Sequence, residues 1–282
     1  MGVLNATPDS FSDGGRYLGV QAALERAGRM AEEGAAIVDV GGESTRPQGA
    51  TYGAGATPVG LDEELERVVP VVEAVARELP DVLISVDTYK GAVAREALRA
   101  GAHLVNDVTG LRGGIGTAAA AAAYGAPIVV MHAAGQPGQM PHEDGADTDR
   151  DGDVVARVAR SLRQSVERAE AAGVRGVVVD PGFGFGKTPA ENLRLVAEVD
   201  RLVAEGRPVL VGVSRKSTVG VALGTAGRPA PVGERLYGSL GLAALAVVRG
   251  ASIVRAHDVR PTVEVLRVIA AAEAAAGGPR VP

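Results

Sequence analysis

Asp39, Asp87, Asn106 and Asp180 recur at one kind of place: each follows a short apolar run, at 36–38, 83–86, 104–105 and 177–179. Such runs stay buried by packing, so a carboxylate or amide at the tip needs a separate reason to be there. A carboxylate facing an amide-plus-amine edge forms two charge-assisted hydrogen bonds. Three such groups on neighbouring strands suit a flat ligand with several donors in one plane, such as a pterin or purine-like heterocycle. Each residue alone also reads as a helix N-cap. That plainer reading suits Asp87, whose helix starts soon after, better than Asp180, which precedes Pro181.

A second set of residues could hold an anion. The segment 41–47 places Ser44, Thr45 and Arg46 beside a glycine pair, although an ordinary glycine-rich turn would look the same in isolation. The runs Ser214-Arg215-Lys216-Ser217 and Arg255-Ala256-His257 strengthen the anion reading. Arg255 and His257 stand two apart on an extended strand end, so both could face one ligand. His132 reads first as a strand-end histidine with its bonds satisfied and only second as a base. Two nucleotide motifs fail. Residues 182–188 read GFGFGKT, but GxxxxGK[ST] needs glycine at Pro181 and GxGxxG needs it at Lys187. The four histidines show no HExxH or similar ligand spacing, so a histidine metal site is not expected.

These tips belong to a repeated order. Apolar runs ending in polar residues predict eight strands, the remaining four ending at Asn5, His132, Ser214 and Arg255. Periodic apolar positions predict helices over 20–33, 61–79, 92–100, 117–124, 154–172, 190–205, 235–249 and 261–276, each stopped by glycine or proline. Strand, polar loop, helix, glycine, strand implies a parallel sheet. Eight repeats favour closure over an open doubly wound sheet, giving an α/β fold with one (β/α)8 TIM barrel over residues 1–282. In that barrel all tips share one face, where substrates bind, and loops seven and eight are the usual phosphate site. Three βα loops are long, 6–19, 41–60 and 133–152, and the first two are expected to be mobile lids. The third, with Asp144, Asp147, Asp149, Asp151 and Asp153, reads as a solvated surface loop.

Bulk composition excludes several classes. Of the 282 residues 46% are hydrophobic and 22% charged, as in a globular domain with a substantial core. Net charge is −5 with no long Lys/Arg cluster, which argues against a nucleic-acid partner. There is no cysteine, hence neither disulfides nor a thiolate zinc site. The longest apolar run, 240–248, is about half a membrane span, and no signal-peptide pattern opens the chain. A soluble cytoplasmic protein, with no membrane partner, is the expectation.

Taken together, the motifs resemble one family. They are NATPDSFSDGG at 5–15, DVGGESTRP at 39–47, SVDT at 85–88, NDV at 106–108, DPGFGFGK at 180–187, SRKS at 214–217 and RAHD at 255–258. From first strand to last they closely resemble the dihydropteroate synthases, pterin-binding TIM barrels. The resemblance implies condensation of 6-hydroxymethyl-7,8-dihydropterin pyrophosphate with 4-aminobenzoate to 7,8-dihydropteroate and pyrophosphate, the folate step that sulfonamides block. It implies that Asp87, Asn106, Asp180 and Lys216 hold the pterin, with Met131 and Phe185 lining its pocket. Asn5, Arg255 and His257 would hold the pyrophosphate, Asn5 through Mg2+. Phe11, Thr45, Arg46, Pro47 and Ser217 would build the aminobenzoate site, with Asp13 and Asp39 in support and Asp39 steadying Arg46. Lys216, Arg255, Asp87 and Asp180 would be the catalytic set. The segment after His132 departs from the family's fifth loop, and Ala6 replaces a larger residue.

Two other readings share part of this pattern. A methyltetrahydrofolate-dependent methyltransferase would keep the pterin carboxylates without needing Asn5, Lys216 or Arg255 and His257 for pyrophosphate. A non-catalytic paralogue would bind pterin or a partner only. The helix at 235–249 is apolar on more sides than one barrel-facing stripe requires, which predicts a homodimer.

Overall fold

A computed structural model describes residues 1–6, 15–43, 58–133, 152–225 and 227–277. Most of each expected long loop, with Phe11, Asp13, Thr45, Arg46 and Pro47, lies outside the described residues, and the first loop is shorter than expected because the helix predicted from 20 already begins at Gly15.

The chain alternates strand and helix from end to end. The strands are β1 (Gly2–Asn5), β2 (Ile37–Gly41), β3 (Leu83–Asp87), β4 (Leu104–Asp107), β5 (Ile128–Met131), β6 (Val177–Asp180), β7 (Leu210–Val211) and β8 (Ile253–Val254). The helices are α1 (Gly15–Glu32), α2 (Leu61–Glu78), α3 (Gly91–Arg99), α4 (Gly116–Tyr124), α5 (Val154–Ala171), α6 (Pro189–Ala197), α7 (Asp200–Val203), α8 (Ser217–Leu223), α9 (Leu236–Val248) and α10 (Val259–Ala275). Strands β1 to β6 form one parallel sheet in sequence order, and β7 pairs with β8. A parallel bridge from Val179 to Val209 joins β6 to β7, and one from Gly2 to Ala256 joins β8 to β1. Backbone bonds of 3.0 Å (Val179 N–H to Pro208 O) and 3.1 Å (Val3 N–H to Ala256 O) close the ring. The eight-stranded barrel therefore has no open edge.

Local sequence explains the elements. In α2, Val68, Val71, Val72 and Val75 make the buried stripe, and Asp62, Glu63 and Glu64 complement the dipole in its first turn. Helix α6 starts with a capping box, Thr188 and Glu191, with a proline in the first turn. Gly125, just past α4, takes the left-handed φ of 65° that a C-terminal cap needs.

Some boundaries differ from expectation. The single helix predicted over 190–205 is two, because Glu198 at φ −118° leaves the helical range. Helix α8 occupies a stretch with no predicted helix, since its seven residues are too few for the periodicity to register. β2 runs two residues beyond Asp39, which is thus an interior residue of the strand and not its end.

Two apolar layers fix which side chains face inward. One large cluster joins strand residues such as Val38, Val86 and Val130 to the helices outside them. A second, inside the barrel floor, gathers Leu104, Val129 and Leu210 with Met1, Ile37, Val178 and Ile253. Side chains alternate along a strand, so residues two further on share that inner face. From Ile37 this gives Asp39 and Gly41; from Leu104, Asn106; from Val129, Met131; from Val178, Asp180; and from Ile253, Arg255. The polar residues of interest are thus stacked on an apolar plug, one pleat above it. Among the described residues no helix is long and apolar enough to cross a membrane.

Candidate active site

Strand register assembles the upper tier. Asn5 lies opposite Gly41, Gly41 opposite Asp87, and Asp87 opposite Asn106. Met131 lies opposite Asp180.

Asp39, wholly buried, anchors the tier. Its Oδ2 accepts from the Asn106 amide at 3.0 Å and from Arg255 Nε at 2.6 Å. Arg255 Nη2 donates to Asp87 Oδ2 at 2.9 Å, so one guanidinium serves two buried carboxylates. Burial, and then the Asp39 charge, push the Asp87 carboxyl up to about 7, against the pull of Arg255. The second oxygens, Asp39 Oδ1 and Asp87 Oδ1, and the Ser85 hydroxyl are buried without a hydrogen-bond partner. Buried acceptors are nearly always satisfied, so orphans clustered at a strand-tip face mark where a ligand's donors belong.

On the far side, Asp180 Oδ1 accepts the Gly182 N–H at 2.7 Å. Burial raises the Asp180 pKa, while Lys216, the Gly182 N–H, Lys187 and Arg255 oppose the shift. Lys216 Nζ bonds Phe183 O and sits 4.4 Å from the Phe185 ring centre. Phe185 in turn packs on a buried patch of Val108, Met131 and Ala133. A carboxylate, an ammonium and an apolar wall thus border one space. Gly212 lies between them: a Cβ there would make ordinary contacts at 3.7 Å with Lys216 Nζ and 3.9 Å with Arg255 Cβ.

Arg255 and His257 do not converge as the sequence suggests. Arg255 turns onto Asp39 and Asp87, whereas the His257 N–H and Nδ1 lie 3.2 and 3.1 Å from Ser214 Oγ. Burial, followed by the charge of Arg255, lowers the His257 pKa to about 4, so at neutral pH the ring brings hydrogen bonding and no charge. Arg215, at a left-handed φ of 58°, pairs with Asp258 at 2.7 Å through its Nε and so leaves the face to Lys216. Ser217 is buried at the start of α8. Asp39, expected to steady Arg46, is committed to Arg255 and Asn106 among the described residues. His132 is buried with Nδ1 unpartnered, and burial lowers its pKa well below the usual range.

A third cluster gave little sequence signal. Lys90 Nζ bridges the buried carboxylates of Glu43 and Glu64. The Thr88 hydroxyl donates to Glu64 at 2.6 Å and the Tyr89 hydroxyl to Glu43 at 2.9 Å. Arg67 adds a 2.8 Å bond to Gly42 O. These contacts pin the chain just beyond β2, next to the tier. One clue was available: Glu64 stands four residues before Val68, on the buried stripe of α2, where a charge must find a partner. Lys90→Met is expected to cost about 3–5 kcal/mol by urea denaturation, because two buried carboxylates lose their counter-ion. A loss under about 1 kcal/mol would mean that the cluster behaves as an exposed ion pair.

Among the described residues no group of three or more His, Asp or Glu could enclose a metal. Asn5 offers an amide oxygen at an exposed strand tip. That donor fits Mg2+, which keeps several waters and takes most of its remaining ligands from substrate phosphates.

Comparison with known proteins agrees with this geometry. Residues 1–257 match the pterin binding enzyme family. The dihydropteroate synthase of Escherichia coli (strain K12) is 44% identical over 273 residues, covering 96% of this chain and 90% of the relative. The Xanthomonas albilineans dihydropteroate synthase solved with 4-aminobenzoic acid superposes with a TM-score of 0.83 at 44% identity, covering 97% of this chain and 92% of that one. The same organism's enzyme in complex with 7,8-dihydropteroate gives 0.79 at 40% identity, covering 97% and 93%.

Proposed function

The chain belongs to the pterin-binding enzyme family, among the dihydropteroate synthases, and on that premise we propose how its own residues carry the reaction. It is a transferase of folate biosynthesis. It condenses 6-hydroxymethyl-7,8-dihydropterin pyrophosphate with 4-aminobenzoate, giving 7,8-dihydropteroate and pyrophosphate.

Asp87, Asn106 and Asp180 take the hydrogen-bonding edge of the pterin, Met131 and Phe185 its faces, and Lys216 a ring acceptor. Arg255, His257 and Asn5 take the pyrophosphate end. Phe11, Thr45, Arg46, Pro47 and Ser217 receive the aminobenzoate. The observation that carries this division is the pair of orphan carboxylate oxygens on Asp39 and Asp87 beside Asn106. They call for a ligand that donates several hydrogen bonds from one edge.

The bond that breaks joins the exocyclic methylene carbon to the pyrophosphate oxygen, which keeps the electron pair. The electron-rich dihydropterin spreads the positive charge left on the methylene, and the buried carboxylates stabilise it. The aminobenzoate nitrogen then bonds that carbon and loses a proton, an SN1-like order that needs no covalent nucleophile. Lys216 and Arg255 would bring positive charge to the pyrophosphate side, where it favours departure. Mg2+ bound with pyrophosphate at Asn5 would supply further neutralisation of the leaving group. Incubating the purified protein with both substrates and detecting 7,8-dihydropteroate by mass tests the assignment; no product mass would reject it.

Binding is ordered. The pterin end rests on strand tips, while the aminobenzoate end draws on segments rich in glycine, with Gly14, Gly49 and Gly53. Ordering such backbone costs about 1–2 kcal/mol per residue, which one small carboxylate cannot offset. Labelled aminobenzoate is expected to bind at least about 100-fold more tightly with pterin, pyrophosphate and Mg2+ present than to the free protein, because those ligands lift this cost. Equal binding in both states would mean a preformed second site.

The protein acts as a homodimer. α9 leaves Tyr237 82%, Val248 55% and Leu245 36% exposed, and α10 beside it leaves Val268 70% exposed. Together they make an apolar face of the kind that interfaces cover. Light scattering at micromolar concentration is expected to give twice 28.5 kDa, and the monomer mass would refute the pairing.

A further inference from the structure

The run 182–188, which fails both nucleotide motifs, has another use. Lys187 is only 1% exposed. Its Nζ donates to Gly182 O at 2.8 Å and to His132 O and Phe185 O at 3.2 Å each. Three donors meet three backbone carbonyls, so the ammonium is fully used without touching a carboxylate. Without a cation those carbonyl dipoles would face one another, and Gly182 O would keep only the Phe185 N–H at 3.1 Å.

The turn it grips shapes the pterin side of the face. Gly182 has φ 67° and Gly184 φ 82°. A Cβ on Gly182 would come within 1.8 Å of His132 O, so the end of β5 and the turn meet backbone to backbone. The turn supplies the Gly182 N–H to Asp180 and the Phe183 carbonyl to Lys216, and its Phe185 ring lies under the Lys216 ammonium. Asn192 holds the other side, accepting the Gly184 N–H at 2.8 Å and donating to Lys187 O at 3.2 Å.

We infer that Lys187 is a positioning residue for the pterin half of the reaction, an internal cation that ties β5 to this turn and thereby sets Lys216, Phe185 and Asp180. It touches no substrate and acts through those three. Burial brings its pKa down to about 7, a fall that the nearby Asp180 charge partly offsets. The inference rests on the reading of the strand tips as a pterin site.

The test uses Lys187→Ala and Lys187→Gln in the full-length protein, with steady-state kinetics and pterin titration. Both variants are expected to raise the KM for the pterin pyrophosphate at least about tenfold and to leave the KM for aminobenzoate within about twofold, the pattern of lost pterin positioning. Ammonium or potassium ions, small enough for the three-carbonyl cage, are expected to restore pterin affinity in Lys187→Ala, and tetramethylammonium is not. Unchanged pterin KM in a folded variant overturns the inference. So does a fall in kcat alone, which would report fewer folded molecules, or failure of both variants to fold, which would make Lys187 a support of the whole barrel. If the wild-type protein itself binds no pterin, the reading of the site fails instead.

Discussion

Arg255→Ala is expected to lower folding stability by about 3–5 kcal/mol and turnover by at least about 10²–10³-fold. Its guanidinium is the counter-ion shared by Asp39 and Asp87, at 2.6 and 2.9 Å. Without it two carboxylates lie buried side by side. The sequence alone suggests a residue devoted to pyrophosphate, whose loss would spare free pterin. The observed pairing predicts that both ligands suffer, because the tier that receives the pterin is built around the same side chain. Asp39→Asn added to Arg255→Ala removes one of the stranded charges and is expected to return part of the lost stability, a coupling that a double-mutant cycle reads directly. A melting curve like the wild type's for Arg255→Ala would show that the guanidinium compensates nothing.

Asp180→Asn is expected to weaken pterin binding by roughly 10- to 150-fold while the fold survives, the equivalent of about 1.5–3 kcal/mol for one charged hydrogen bond. The mechanism lies in the existing bond from the Gly182 N–H to Asp180 Oδ1. An asparagine satisfies that N–H with its carbonyl oxygen and must then turn its NH2 toward the ligand. Donor would face donor where an anion had accepted. Calorimetry of pterin binding, with a thermal melt as control, decides it; near-normal affinity would remove Asp180 from the site.

Much of this was legible in the chain because a barrel strand has a period of two. Once Ile37, Leu104, Val178 and Ile253 are read as plug residues, Asp39, Asn106, Asp180 and Arg255 must follow on the same face. Helix ends were legible too, since glycine after an apolar-periodic stretch has one common use. What the sequence left hidden depends on side-chain direction at the tips. Arg255 and His257 share strand parity, yet one swings to β2 and β3 and the other to Ser214, a choice made by partners more than 40 positions away. The Lys90 bridge to Glu43 and Glu64 needs the end of β2, the start of α2 and the loop after β3 in one place, which no local pattern states. Lys187 was visible only as a lysine where a nucleotide motif wanted something else. Its role comes from the closeness of two backbone segments that glycine permits.

The most direct test of the account is a coupled pyrophosphate-release assay on the purified protein with Mg2+. With pterin pyrophosphate and 4-aminobenzoate together, release is expected to be sustained, equimolar with dihydropteroate, abolished by excess EDTA and strongly reduced in Arg255→Ala. If release runs at the same rate without aminobenzoate, or is absent with both substrates present, this strand-tip face does not join the two, and the account is wrong.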